Sequence, residues 1–235
     1  MRLLVLAALL ALLAGCGNKP RQPDWLVNAD SAQDRFERAY LSGRDAAALT
    51  EFERFRHEVA STGQPALVAR AELTRCAVRV ASLDFSPCSG FEPLRPDVGD
   101  AERAYADFLE GKLPPDQAKA LPEDYRGLVG EGGSGRLEKI RNPVSRLIAA
   151  GVLLRTGSAD PKVLEIASST ASEQGWRRAV MAWLGAQAML ADKNGDADAA
   201  ARLRRRMELA AEEPEAPARR LREPRPSEGV RKVME

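Results

Sequence analysis

The side chains best suited to chemistry are few in this chain: three cysteines, Cys16, Cys76 and Cys88, and one histidine, His57. His57 falls among charged neighbours, off the apolar stripe of its segment. It reads as a solvated surface residue, and no Cys-His pattern marks a thiolate nucleophile. Metal-ligand spacing is absent. Carboxylates are plentiful, and a pair of them can hydrolyse glycans. However, Glu51, Glu53, Asp107, Glu110, Glu123 and Asp124 all sit near Arg or Lys, the mark of a solvated helix face. Ser134 lies in a glycine-rich stretch that is not G-x-S-x-G, and no histidine follows it. Gly130, Gly132 and Gly135 fit G-x-G-x-x-G, but a dinucleotide site needs a strand before it and a βαβ unit around it. The pattern supplies neither, so 127–136 reads as a joint. The expectation is a non-enzyme with no catalytic residue, no metal and no cofactor. The remaining cluster is basic: Arg202, Arg204, Arg205 and Arg206, late in the last helical segment. It is either a patch for phosphate or lipid head groups or a solvated salt-bridged face, with Arg204 and Glu208 spaced i,i+4.

The elements that would position these groups are helical. The chain has 235 residues, 44% hydrophobic and 29% charged, with 35 basic against 34 acidic side chains. That is a globular composition, and its balance excludes a basic protein built to coat nucleic acid. Ser31 is expected to cap a first helix, with Asp34 three residues on as in a capping box and Phe36, Ala39 and Tyr40 as its stripe. A second helix carries Leu49, Phe52, Phe55 and Val59 inward. A third runs from Pro65 to about Leu83, and the proline-rich 84–98 is an ordered loop or a joint. Ala101, Ala104, Tyr105, Phe108 and Leu109 give a fourth helix the spacing i, i+3, i+4, i+7, i+8. Short helical turns follow Pro114–Pro115 and Pro122. A helix over about 137–154 is kinked or restarted at Pro143. Asp160-Pro161 opens the next, followed by Trp176 to Ala191, whose face Gln187 interrupts, and by Asp196 to about Ala211. No run of alternating β-branched residues appears. The fold class expected is all-α, in antiparallel helical hairpins.

The first twenty residues point outward from the cell. Arg2 precedes an unbroken apolar run, Leu3 to Leu13, too short to span a bilayer at ~1.5 Å per residue and the right size for a secretion signal. It ends in Leu13-Ala14-Gly15-Cys16, which resembles the lipobox of bacterial lipoproteins. The resemblance implies cleavage before Cys16, so that 1–15 is a signal peptide, acylation of Cys16, and a tether over 16–28. Acyl chains at ~0.8 kcal/mol per buried CH₂ would make such an anchor essentially permanent. Gly17, where an Asp would favour inner-membrane retention, implies an outer-membrane lipoprotein facing the periplasm.

In that oxidising compartment Cys76 and Cys88 become a disulfide candidate. Cys76 lies in a helical segment, and Cys88 follows in a loop where Pro87 and Gly90 allow a reversal. The other reading makes Cys76 a plain core residue on the stripe Leu73, Cys76, Ala77, Val80.

Short turns between helices of this length force antiparallel neighbours. Two segments resemble tetratricopeptide-type hairpins: RFERAYLSGRDAAALTEFERF, with Gly43, Ala48 and Phe52, and WLGAQAMLADKNGDADAAARL, with Gly195-Asp196 at its turn. Gly185 and Gly195 are spaced wider than that motif asks, and nothing repeats at the family's roughly 34 residues. A degenerate array and a simple helix bundle both remain open for the domain over 29–212. The tail, 213–235, is rich in Pro and Arg and is expected to be disordered.

Together these readings lead to a lipid-anchored, non-catalytic helical scaffold or adaptor of the periplasm that binds an envelope protein and no nucleic acid. The alternatives are a cell-wall enzyme or its regulator, and a structural lipoprotein lying on the membrane surface.

Overall fold

Proline and small polar residues set the helix starts. Pro65, Pro143 and Pro161 occupy first-turn positions where no N–H is needed. Asn142, Asp160 and Asp196 accept from the amides of Ser145, Val163 and Ala199. The computed structural model describes residues 22–130 and 133–212. Its elements are α1 (Asp24–Leu41), α2 (Asp45–Ala60), α3 (Pro65–Ala81), a 3-10 turn (Glu92–Asp97), α4 (Asp100–Leu109) and a second 3-10 turn (Pro115–Ala120). Two single-turn helices follow, α5 (Glu123–Arg126) and α6 (Ser134–Leu137). The chain then runs through α7 (Pro143–Arg155), α8 (Pro161–Glu173), α9 (Arg177–Lys193) and α10 (Ala197–Ala211). No strand occurs among the described residues, and the fold is all-α. Pro143 restarts the chain as a new helix rather than kinking a longer one.

Both segments that resemble repeat hairpins pack as helix pairs, α1 on α2 and α9 on α10. Gly43 and Gly195, at φ +78° and +75°, turn the chain between them.

Three expectations are corrected. α1 begins at Asp24, not after a tether reaching Asn28, so Ser31 lies inside the helix and caps nothing. The cause is burial: Trp25 packs on a cluster of Ala29, Ala32, Phe55, Val59 and Ala71, which draws the first turn onto α2 and α3. On α2, Ala48 faces inward, and Leu49 is exposed. On α4, Glu102 and Ala106 are buried where Ala101 is exposed.

α3 is the central element. It packs against α1, α2, α4 and α7, and nine of its residues are buried, from Ala69 to Ala81. The indole of Trp183 on α9, fully buried, donates to the Ala81 carbonyl at 2.9 Å across 102 residues of chain. Arg178 on α9 pairs with Asp45 at the start of α2. These closures tie late helices to early ones, which nearest-neighbour stacking in an open array does not require. One core runs from Phe36 to Leu184, and the loop after α3 joins it through Cys88, Phe91 and Val98.

Candidate binding cleft

Cys76 and Cys88 are joined as a disulfide, with Cα atoms 5.6 Å apart. The bond ties the loop back onto α3, where Gly90 meets an ion cluster. Glu72, 4% exposed, lies between Arg56 and Arg75, at 2.8 and 2.7 Å. A Cβ on Gly90 would lie 2.1 Å from Glu72 Oε2 and 2.6 Å from an Arg75 guanidinium nitrogen, so a larger residue there would have to displace this ion pair. Downstream, Arg79 donates to Asp84 and holds its carboxyl at about 2, below the usual carboxylate range, although burial pushes the other way.

The other residues singled out from the sequence are dispersed. His57 and Glu53 are exposed on α2. Glu51 pairs with Arg35 at 2.9 Å, Asp107 with Arg95 at 3.1 Å and Glu110 with Lys112 at 2.9 Å. Ser134 donates to Asp160 at 3.0 Å, with no imidazole beside it. Gly130 ends a turn at φ +90°; residues 131 and 132 of the glycine pattern lie outside the described residues, and α5 rather than a strand precedes it. Arg202, Arg204, Arg205 and Arg206 are exposed on α10, and Arg204 pairs with Asp192 on α9. Cys16 and the tail lie outside the described residues. Among the described residues no helix is long and apolar enough to cross a membrane, and no group of three or more His, Cys, Asp or Glu could hold a metal.

What the structure does assemble is a cleft that no single sequence motif marks. Its outer chamber, 640 Å³, lies between α1, α3, α4, α7 and the turns around 120–125. Its lining includes Arg70, Leu73, Glu102, Leu121, Pro122 and Asp124. An adjoining inner chamber of 240 Å³ reaches Asp34, Glu37, Val78 and Asn142. The two share Gln33, Thr74, Tyr105, Tyr125 and Ser145 as walls.

No known protein family, characterised protein or solved structure matches this chain. The cleft therefore has to be read from its own chemistry.

Its wall is a phenol pair. Tyr105 and Tyr125 stack with ring centroids 5.9 Å apart, and Phe108 backs Tyr125 at 5.1 Å. Burial raises both hydroxyls, Tyr125 to about 12 and Tyr105 well above its usual range. Tyr105 donates to the Tyr125 oxygen, and Ser145 bonds the same hydroxyl. On α1, Gln33 donates to Glu37 at 2.8 Å. Burial nevertheless lifts the Glu37 carboxyl above its ordinary value, the Gln33 bond opposing. On the outer side Arg70 is committed to Glu102 at 2.8 Å. The lining thus pairs apolar and aromatic walls with hydrogen-bonding groups, the make-up of a binding site.

Proposed function

We propose that this protein is a non-catalytic, lipid-anchored adaptor of the bacterial envelope that binds a segment of a protein partner in the cleft between α1, α3, α4 and α7. The observation that carries the reading is the two-chambered cleft, whose polar groups come from several elements and converge on one space. Its two tyrosine hydroxyls bond each other, and burial raises both above a range that is already well above neutral, an arrangement that offers hydrogen bonds and shape rather than an activated nucleophile. The Cys76–Cys88 bond supports an oxidising compartment. The lipobox-like Leu13-Ala14-Gly15-Cys16 supports the anchor.

The test is photo-crosslinking in intact cells, with a benzophenone amino acid replacing Gln33 or Thr74 at the cleft and Glu53 as an off-site control. A discrete adduct with an envelope protein from the cleft positions alone supports the adaptor. Adducts from all three positions alike, or none from the cleft, overturn it. Anchoring is read separately: Cys16→Ser should release the protein from membranes and abolish incorporation of labelled palmitate, and continued membrane fractionation would remove the anchor from the reading.

A further inference from the structure

α10 lies at an edge of the fold. It leans on α9, and Ala200 is its only buried residue. Between its last turns and the first turns of α9 is an open recess of 490 Å³. None of the residues lining it lines either chamber of the cleft. Val180 and Leu184 on α9 and Leu209 and Ala210 on α10 give it apolar walls, and Arg177 and Arg206 add positive charge. Leu209 is left 67% exposed, although covering its apolar surface would be favourable. Among the described residues Arg206 makes no ion pair, whereas Arg204, two positions earlier, is paired with Asp192. The recess thus asks for an occupant that brings small apolar groups and a carboxylate.

The chain itself leaves the described fold at this recess. α10 ends at Ala211, one residue past the wall residue Ala210, and Glu212 already has extended backbone at φ −57° and ψ 117°. Residues 213–217 read Glu-Pro-Glu-Ala-Pro. Pro214 and Pro217 fix their own φ and restrict Glu213 and Ala216, the residues before them, to extended backbone. The sequence therefore favours polyproline II, a conformation that loses little entropy on docking. The lengths agree as well. Arg206 lies six residues before Glu212, about 9 Å at 1.5 Å per residue of helix. Three residues of polyproline II, at about 3.1 Å each, return the same distance. A run that doubles back from Glu212 places Glu215 level with Arg206, and Ala216 and Pro217 follow onto the apolar walls.

We infer that residues 213–217 dock into the recess between α9 and α10, with Glu215 paired to Arg206 and with Ala216 and Pro217 against Val180, Leu184 and Leu209. The occupant is tethered within a few residues of its site, so its effective concentration is high and weak contacts suffice to seat it. Docked there, it covers the exposed flank of the α9–α10 pair, and a partner taking that face has to displace it. The inference does not rest on the adaptor reading, which concerns the cleft on other helices.

The test is photo-crosslinking within the full chain in detergent. A benzophenone amino acid at Ala216 should join the tryptic peptide that carries it, 207–219, to peptide 179–193, which holds Val180 and Leu184. The same photo-residue at Val230 is the control for chance encounters. Mixing heavy-isotope and light-isotope protein separates adducts within one chain from adducts between two. Arg206→Glu should lower the adduct from position 216 by about twofold or more, and adding Glu215→Arg should restore it. Circular dichroism should show the same helix content in both variants. Absence of the adduct, equal yields from positions 216 and 230, or a yield indifferent to the two charges would overturn the inference. An adduct formed only between chains would also overturn it, and would make the recess a contact between copies.

Discussion

Replacing Gly151 by Ala should destabilise this protein, although the same change in an ordinary helix interior stabilises by about 1 kcal/mol. Gly151 lies within α7, buried where that helix crosses α3. A Cβ placed there would sit 2.3 Å from the Val80 carbonyl oxygen, 2.8 Å from Val80 Cγ1 and 3.0 Å from the Val80 carbonyl carbon. Two of those atoms are backbone and cannot swing aside. Relief requires α3 and α7 to separate by around 1 Å, an overpacking displacement that costs about 1–3 kcal/mol. The penalty grows because Ala81, the next residue on α3, accepts the Trp183 hydrogen bond, and any shift of that turn also stretches the tie to α9. The helix-propensity gain of about 1 kcal/mol offsets part of this. With about 1 kcal/mol for the strained Trp183 bond cancelling that gain, the net expectation is a loss of about 1–3 kcal/mol, a fall in Tm of about 3–10 °C for a chain of this size. Gly185→Ala on α9 is the control: its Cβ would meet only Met207 Cε at 3.7 Å, and it should raise Tm by about 2–4 °C. Thermal unfolding followed by circular dichroism of the helix signal reads both. A Gly151→Ala protein at least as stable as the parent would refute the close crossing of α3 and α7.

Other consequences are more local. Cys88→Ser removes a crosslink with a sequence separation of 12 and should cost about 3 kcal/mol by loop-closure entropy; reductant should lower the Tm of the parent by a similar amount and leave that of the variant unmoved. Trp183→Phe keeps much of the ring but leaves the buried Ala81 carbonyl without its donor, for a loss of about 1–3 kcal/mol in urea titration. Glu37→Gln should stabilise near neutral pH. Burial raises the native carboxyl above its unfolded value of about 4.3, so the stability this group contributes is full below that value and is lost as pH rises through the raised native one. The Tm advantage of the variant should therefore be present at pH 7 and vanish at pH 4, and an advantage independent of pH would rule out this cause.

Helices were legible in this sequence wherever large apolar residues recur on one face, as on α3 and α9, and wherever a cap or proline marks the start, as at Asp160-Pro161 and Asp196. They were less legible where alanine does the packing. The inward face of α1 runs through Ala29, Ala32, Phe36 and Ala39, and alanine carries too little hydrophobic signal to extend the helix back to Asp24 from periodicity alone. On α2 the neighbours Ala48 and Leu49 offer competing faces, and the closeness of α1 selects the smaller one. The disulfide was accessible through compartment and cysteine parity. The cleft was not, because Gln33, Thr74, Tyr105, Tyr125 and Ser145 lie on five separate elements. The available signal was indirect: Tyr105 on an otherwise apolar stripe, and Asp124 beside a second tyrosine.

The proposed anchor and the proposed cleft share one element. α1 begins eight residues after Cys16, a stretch that reaches at most about 28 Å when fully extended. Glu37 lies thirteen residues further along α1, about 20 Å at 1.5 Å per residue. An acylated Cys16 would thus hold the inner chamber within about 50 Å of the bilayer surface, so the cleft samples partners in the membrane-proximal layer rather than the whole compartment. Charge then separates the two surfaces of the molecule. The cleft is lined by the acidic side chains Asp34, Glu37 and Asp124; beyond a Debye length of about 10 Å their repulsion from lipid phosphates is screened, so this charge would act only on a segment at contact. The exposed arginines of α10, the groups that could face phosphate, lie on a different helix from any that lines the cleft. On the proposed reading, a partner segment in the cleft and a membrane contact through the α10 arginines would therefore use different helices.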